Sequence, residues 1–188
     1  TSIDRDDVLA AGAKMSKFST PKDSKRCVIW DPDAEADLVS DLAGLFQNST
    51  KISSQYDDGA MGQGLGFTHK MSQNVASHTT GGYNADYDVA TVPSSGDTDL
   101  AVDTGTGTIK HGDVFTIATV NSVNPVTKVS TGDLQQFVVQ ADSAGGTVTL
   151  SILPAMISTG PYQNIDSLPA LNDDLVFLGT ASTAYPQN

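Results

Sequence analysis

The first repeating pattern of apolar residues lies near the N-terminus and has helical spacing. Val8, Gly12 and Met15 recur on one face, as in an amphipathic helix. Asp4 stands before this pattern, and aspartate is a favoured residue for capping the first free amide groups of a helix. The pattern predicts a short helix that is capped by Asp4 and ends by Phe18.

A second helical pattern begins at the dipeptide Asp31-Pro32. A capping acid followed by proline is a common helix start, because proline has no amide hydrogen to leave unpaired at the first helical position. Apolar residues then repeat along one helix face; they are Ala34, Leu38, Leu42 and Leu45. Asp37 and Asp41 fall outside that face, so the sequence predicts an amphipathic packing helix.

Two segments of the first half have the patterns of β-strands. The apolar run from Cys27 to Trp30 is of the buried-strand type. From Phe67 to Val75 the side chains alternate in character, which predicts a strand with one partly buried face that ends near His78. The glycine-rich stretch GAMGQGLGF lies between them, and no Lys-Ser/Thr pair of a phosphate-binding loop follows it. We interpret this stretch as a flexible turn.

The pattern changes near Gly81, where we place a domain boundary. Gly, Ser, Thr and Asp dominate from there on, and short apolar runs recur between turn-rich segments. The runs are Leu100 to Val102, Val114 to Val120, Leu134 to Val139, Val148 to Leu153 and Leu175 to Leu178. Gly145 and Gly146 separate two of these runs and predict a hairpin. The second half is therefore predicted to be an antiparallel barrel or sandwich.

Charge excludes one class of partner. Ten Lys and Arg residues stand against 22 acids, giving a net charge of -12 and a pI near 4.2. Such a chain repels a nucleic-acid backbone, so we expect no specific nucleic-acid binding. No apolar run reaches the roughly 18 residues of a membrane helix, and the N-terminus lacks the order of a secretory signal. We expect no membrane partner and an intracellular product.

Residues that could act in catalysis or bind a metal ion are scattered along the chain. Cys27 is the only cysteine, which excludes a disulfide within one chain, and its apolar neighbours predict a buried structural thiol. The three histidines lie outside any zinc-binding spacing and are expected to be exposed or half-packed; they are His69, His78 and His111. No serine occupies a nucleophile elbow. We expect no enzyme, no metal and no cofactor.

The run KHGDVFTIATVNSVNPVTKVSTGDLQQFVV, Lys110 to Val139, resembles part of the inserted domain of podovirus-type coat proteins of tailed bacteriophages. Three other pieces resemble the same family in the same order. They are VIWDPDAEADLVSDLAGLF, GQGLGFTHKMSQNVASHTTG and GTASTAYPQN. The resemblance covers most of the chain.

The resemblance implies an α+β fold. Residues 1–80 resemble partial peripheral and axial segments of the tailed-phage capsid fold, in the order helix, strand, helix, strand. Residues 81–180 resemble a mainly antiparallel β-barrel insertion domain, and residues 181–188 resemble the start of the return to the axial domain. The resemblance extends neither to the N-terminal arm, extended loop and spine helix of the family nor to its final axial strands. We therefore expect an internal fragment that is monomeric or weakly associated.

The function implied by the resemblance is a structural capsid subunit that self-assembles into an icosahedral head enclosing DNA. The implied partners are other copies of the coat protein, with scaffolding and portal proteins, and the implied location is the virion, assembled in the bacterial host cytoplasm. Acids in loops and strand edges of the insertion domain are candidates for contact with basic residues of a neighbouring subunit; they are Asp86, Asp88, Asp97, Asp99 and Asp103.

The sequence also allows one other interpretation of the acids and one of the β-rich half. Asp97, Asp99 and Asp103 alternate, but they lack the central glycine and terminal glutamate of a calcium loop, so solvated strand-edge and turn acids are the simpler interpretation. The β-rich half is also compatible with a binding module for a carbohydrate or host-surface ligand. The tyrosines that could form an aromatic binding platform in such a module have no regular spacing and fall in separate or terminal loops; they are Tyr83, Tyr87, Tyr162 and Tyr185.

Overall fold

The computed structural model of the protein describes residues 3–42, 59, 61–84 and 86–186. It divides into two compact units. The first unit is Thr1–Ser77 with Pro186–Asn188, and the second is His78–Tyr185.

Two helices of the first unit begin where the sequence predicts. Helix α1 spans Arg5–Lys17, and the Asp4 carboxylate accepts the backbone N–H groups of Asp6 and Asp7. Helix α2 spans Pro32–Leu42 and buries Ala34, Leu38 and Leu42, as the apolar spacing predicted. Leu45, the fourth residue of that pattern, lies outside the described residues.

A small sheet completes the first unit. Its strands are β1 (Cys27–Trp30), β2 (Gln63–Gly64) and β3 (Phe67–Met71). They lie in the order β1-β3-β2, with β1 parallel and β2 antiparallel to β3. Apolar residues from both helices and this sheet form one core; they are Val8, Trp30, Ala34, Leu38, Leu42, Met61 and Phe67. Within the glycine-rich stretch, only Leu65 and Gly66 form a turn, between β2 and β3; Gln63 and Gly64 form β2, which was not predicted.

Three predictions for this unit are wrong. β3 ends at Met71 instead of near His78. The Ser72 N–H donates to the backbone carbonyl of Trp30, the last residue of β1, and the chain then turns. Cys27 is exposed, since β1 is an edge strand in which only Trp30 is buried. His69 is buried at 5% exposure, because two hydrogen bonds satisfy its ring.

Both ring nitrogens of His69 are paired. Its Nδ1 accepts the indole N–H of Trp30 at 2.9 Å, and its Nε2 lies 3.0 Å from the Gly64 carbonyl oxygen. This pairing requires the neutral ring with the hydrogen on Nε2. Burial lowers the pKa of His69, and this effect outweighs the Gly64 bond and the Glu35 charge, which raise it. The ring therefore links β1, β3 and β2 in its uncharged form.

The second unit is a six-stranded antiparallel sheet with a short two-stranded sheet beside it. The chain order of its strands is β4 (Ser77–Thr79), β5 (Asp88–Val89), β6 (Asp97–Asp103), β7 (Val114–Val123), β8 (Ser130–Val139), β9 (Val148–Met156), β10 (Leu175–Phe177) and β11 (Ala184–Pro186). The large sheet has the order β10-β7-β8-β9-β6-β5, and β4 pairs with β11. All five predicted apolar runs form strands, and β8 and β9 pair as the predicted hairpin. β5 and β11 were not predicted, because each has only two or three residues.

The large sheet closes on itself. Its two edge strands, β5 and β10, meet through a bridge between Asp88 and Asp174. The Leu175 N–H donates to the Tyr87 carbonyl at 2.8 Å, and the Val89 N–H donates to Asp173 at 3.0 Å. The result is a nearly closed antiparallel barrel, an arrangement that leaves few unpaired strand edges.

Aromatic side chains fill much of the barrel interior. Phe115 stacks on Phe137 with ring centroids 5.7 Å apart, and Phe177 stacks on Tyr83 at 4.2 Å. Tyr87 is fully buried, and its hydroxyl donates to the Gly107 carbonyl at 2.8 Å. Tyr83 and Tyr87 lie in the segments between strands, yet both belong to the core.

Candidate assembly site on the barrel unit

Four of the five acids nominated from the sequence lie on one wall of the barrel. Asp88 belongs to β5, and Asp97, Asp99 and Asp103 belong to β6. The residues that alternate with them, including Leu100 and Val102, are buried, so the pleat turns these acids away from the core. We call this wall of β5 and β6 the acidic wall.

Two acids of this wall face each other directly. Asp88 pairs with Asp103 across β5 and β6, and the Thr104 hydroxyl lies 2.7 Å from Asp88 Oδ1 and 3.1 Å from Asp103 Oδ1. The hydrogen bond with Asp88 raises the pKa of Asp103, and the same bond, with that from Thr104, lowers the pKa of Asp88. Like charges directly opposite each other destabilise a strand pair. This pair would gain from a cation supplied from outside.

The other nominated acids are held by local hydrogen bonds or exposed. Asp97 accepts the Ser94 N–H at 2.7 Å, and Asp86 accepts the Asn84 side-chain amide at 2.8 Å in the loop before β5. Asp99 is exposed on β6. The fold therefore brings Asp88 and Asp103 together, spreads Asp97 and Asp99 along β6, and leaves Asp86 in the loop before β5.

A second polar cluster, which the sequence did not predict, lies where the chain enters and leaves the barrel unit. Its centre is Asp113, whose residue exposure is only 1%. The carboxylate accepts the backbone N–H groups of Gly81 at 3.1 Å and Lys110 at 2.7 Å. It also lies 2.8 Å from Nε2 of His78. In the sequence, the only signal for this cluster is that Asp113 follows Gly112 and directly precedes the apolar run that begins at Val114.

The incoming and outgoing segments are bonded to each other at the same place. The Thr80 hydroxyl donates to the Thr180 carbonyl at 2.7 Å and accepts the Thr183 N–H at 3.1 Å. The Ser182 N–H donates to the Gly81 carbonyl at 2.8 Å. We call Asp113, His78, Thr80, Gly81 and their partners the junction. It ties both ends of the barrel unit together.

The described residues do not assemble a centre for metal chemistry. In residues 3–42, 59, 61–84 and 86–186, no group of three or more His, Cys, Asp or Glu side chains is placed to hold a metal ion. His111 is exposed, and its backbone N–H donates to Asp142 at 2.8 Å.

Comparison with protein families decides the identity of the chain. The sequence profile described as "P22 coat protein - gene protein 5" matches residues 1–186. This chain belongs to the P22 coat protein family. It is therefore a structural subunit of a bacteriophage capsid, and the P22 coat protein family is structural in role, not enzymatic.

Solved structures are also similar to this chain, and one of them is a coat-protein domain. A structure described as the CUS-3 coat protein I-domain is similar to this chain at 27% sequence identity, with 50% of this chain and 96% of that chain covered and a TM-score of 0.38. No curated protein matches the chain.

Membership of the P22 coat protein family has two direct consequences. The chain assembles with other coat subunits, and its place is the virion. The carbohydrate-binding alternative has no support, since Tyr83 and Tyr87 of the supposed platform lie in the core. Across the described residues, none of the helices has the length and apolarity needed to cross a bilayer.

Proposed function

We propose that residues 81–180 are an insertion domain of the coat subunit, and that residues 1–80 are partial peripheral and axial segments of the capsid fold. Residues 181–188 then begin the return to the axial domain. On this proposal the barrel stabilises the subunit and touches neighbouring subunits. The shell is an icosahedral head that encloses DNA.

The junction is the observation that carries this proposal. An inserted domain must begin and end at nearly the same place, so that the host domain continues undisturbed. The Ser182 to Gly81 hydrogen bond and the two bonds of Thr80 to the outgoing segment meet this requirement. The barrel also has its own core and a nearly closed sheet, which are the properties of an independently folding domain.

The acidic wall is the proposed contact of the barrel with basic residues of an adjacent subunit. Its Asp88 and Asp103 carboxylates repel each other across the strand pair, so a lysine or arginine from a neighbour would relieve that repulsion. Asp86, Asp97 and Asp99 extend the same negative surface. Scaffolding and portal proteins are proposed as further assembly partners, and assembly is proposed to take place in the host cytoplasm.

Deletion of the barrel at the junction tests this proposal. The coat protein that carries this sequence is expressed with its scaffolding protein, and Gly82 to Ala181 are replaced by a short glycine turn that joins Gly81 to Ser182. Electron microscopy is expected to show uniform shells for the intact protein, and fewer or irregular shells for the deletion. Residues 78–185 expressed alone are expected to unfold cooperatively. Intact protein that yields only soluble monomers would contradict the assembly role, and an unfolded 78–185 fragment would contradict the insertion-domain assignment.

A further inference from the structure

The basic residues of this chain are concentrated in one short segment of the first unit. Residues 14–26 carry five of the ten Lys and Arg residues and a single acid. Lys14 and Lys17 lie in the last turn of α1. Lys22 and Lys25 lie at exposed positions of the connector between α1 and β1. We call Lys14, Lys17, Lys22 and Lys25 the basic corner.

Arg26 fixes the shape of the basic corner. Its residue exposure is only 7%. The guanidinium donates to the backbone carbonyls of Thr20 at 2.7 Å and Pro21 at 2.9 Å, and to the Ser16 hydroxyl of α1 at 3.4 Å. These bonds hold the connector against the end of α1, so the lysines are presented by an ordered segment. In the described part of the chain all acceptors of Arg26 are uncharged, so its permanent charge adds to the positive potential of the corner.

The charge of the corner is not neutralised locally. Among the residues that the structure describes, Lys14, Lys22 and Lys25 form no ion pair. The one acid of the segment, Asp23, accepts the backbone N–H of Lys25 at 3.1 Å. The corner is therefore a positive surface on a chain whose net charge is -12, and acidic groups are its complementary partner.

The barrel unit has the opposite imbalance. Residues 78–185 contain 11 acids and two bases, Lys110 and Lys128. Lys128 is held by the backbone, because its Nζ donates to the Pro161 carbonyl at 2.6 Å. Within the described residues, no ion pair reaches an acid of the acidic wall. The barrel thus presents a negative surface that its own bases do not neutralise, while the first unit presents a positive one.

We propose that the basic corner of one copy binds the acidic wall of the next copy. This inference rests on the proposed role of the acidic wall as a subunit contact, and it names the basic residues that face the wall. Corner and wall are different surfaces, so the contact is head-to-tail, and each copy can bind one neighbour through its corner and another through its wall. Head-to-tail contacts close into rings where the rotation between copies permits it.

The net negative charge does not prevent this contact. At physiological salt, repulsion between exposed charges is screened beyond roughly 8 Å, whereas the lysines and aspartates of a corner and a wall in contact lie closer than that. Complementary surfaces of this kind set the register and direction of association more than its strength. Each exposed ion pair is weak, and a shell gains by repeating the contact in many subunits.

Charge reversal on each surface, alone and in mixture, tests the inference. The coat protein that carries this sequence is expressed with its scaffolding protein in two forms. The corner form carries Lys22→Glu and Lys25→Glu, so that both its corner and its wall are acidic. The wall form carries Asp99→Lys and Asp103→Lys, so that both its corner and its wall are basic. Circular dichroism of the corresponding 188-residue chains establishes that each form folds.

Each form alone is expected to give more than about tenfold fewer shells than wild type in electron microscopy, because like charges then face each other across the contact. Coexpression of the two forms is expected to restore shells, since each corner then meets a wall of opposite charge. Restoration requires that corner and wall belong to different copies, and it excludes misfolding as the cause of the loss. Lys70→Glu is the matched control for Lys25→Glu, because Lys70 is exposed on β3 outside the corner, and it is expected to leave the shell yield unchanged.

Normal shells from either form alone would overturn the inference. So would an equal loss of shells with Lys70→Glu and Lys25→Glu, or a mixture that forms no more shells than its components. A corner form that builds normal shells but no longer retains DNA would assign the corner to nucleic acid instead. Wild-type coat protein that forms no shells contradicts the proposed function, not this contact alone.

Discussion

The Nε2 atom of His78 lies 2.8 Å from Oδ1 of Asp113, whose side chain is fully buried. His78 and Asp113 are 35 residues apart, so this contact joins the start of the barrel unit to the start of β7. The same carboxylate accepts the N–H groups of Gly81 and Lys110. One aspartate therefore orders three separate points of the junction.

Asp113→Ala is expected to destabilise the barrel unit strongly. The substitution leaves the buried N–H of Gly81 and the partly buried N–H of Lys110 without their acceptor, at a cost of about 2–4 kcal/mol in the free energy of unfolding. Urea denaturation followed by far-ultraviolet circular dichroism measures the change. Asp99→Ala, at an exposed position of β6, is the control and is expected to change stability by less than about 0.5 kcal/mol. Equal midpoints for the two variants would refute the role assigned to Asp113.

The neutral form of His69 is expected to make the first unit sensitive to acid. In the unfolded chain the ring takes a proton near its ordinary pKa of 6.5, whereas burial lowers the pKa in the folded unit. The stability that the neutral ring contributes is thus fully present above pH 6.5 and is lost as the pH falls toward the folded pKa.

Fluorescence of Trp30 measures this effect, because Trp30 is the only tryptophan and bonds His69 directly. His69→Gln is expected to remove the part of the pH dependence that lies just below the ordinary pKa of histidine. His111→Gln, at an exposed position, is expected to keep it. The idea fails if wild type and His69→Gln lose stability in parallel through this pH range.

Gly105→Ala is expected to disturb the barrel core. A Cβ at this position would overlap the ring of Tyr87, which is fully buried. Overpacking of this kind costs about 1–3 kcal/mol in the free energy of unfolding. Gly82→Ala is the matched control, because its Cβ would meet its nearest neighbours at an ordinary distance of 3.5 Å. Thermal unfolding of both variants checks the prediction, and equal melting temperatures would contradict it.

The pairing of Asp88 with Asp103 is expected to be visible in their titration. Asp88→Asn removes the acidic partner whose hydrogen bond raises the pKa of Asp103, so the pKa of Asp103 is expected to fall toward the ordinary aspartate range. Carboxyl carbon NMR titration measures it. Asp99→Asn changes a charge on the same strand outside the pair and is expected to leave Asp103 unchanged. An unaltered Asp103 titration in Asp88→Asn would show that the carboxylates do not interact.

Local sequence patterns are sufficient to predict the structural elements that depend only on interactions between nearby residues. The capping of α1 by Asp4, the start of α2 at Pro32 and the buried face of α2 all follow from neighbours within one or two helical turns. The main barrel strands were also visible, because the polar turns between them interrupt each apolar run. The family resemblance rested on runs of residues and needed no coordinates.

Tertiary structure decided every feature that depends on residues distant in sequence. Cys27 and Trp30 share one apolar run, yet only Trp30 is buried, because β1 lies at the edge of its sheet. His69 could be buried only because Trp30 and Gly64 satisfy its ring.

The candidate sites divide in the same way. The sequence by itself determined which acids the barrel carries and that its strands alternate. It did not determine that β5 meets β10, that Asp88 faces Asp103, or that Asp113 receives donors from Gly81 and His78. Those relationships arise when a sheet closes, and closure depends on strand order and register, which residue spacing within one strand does not encode.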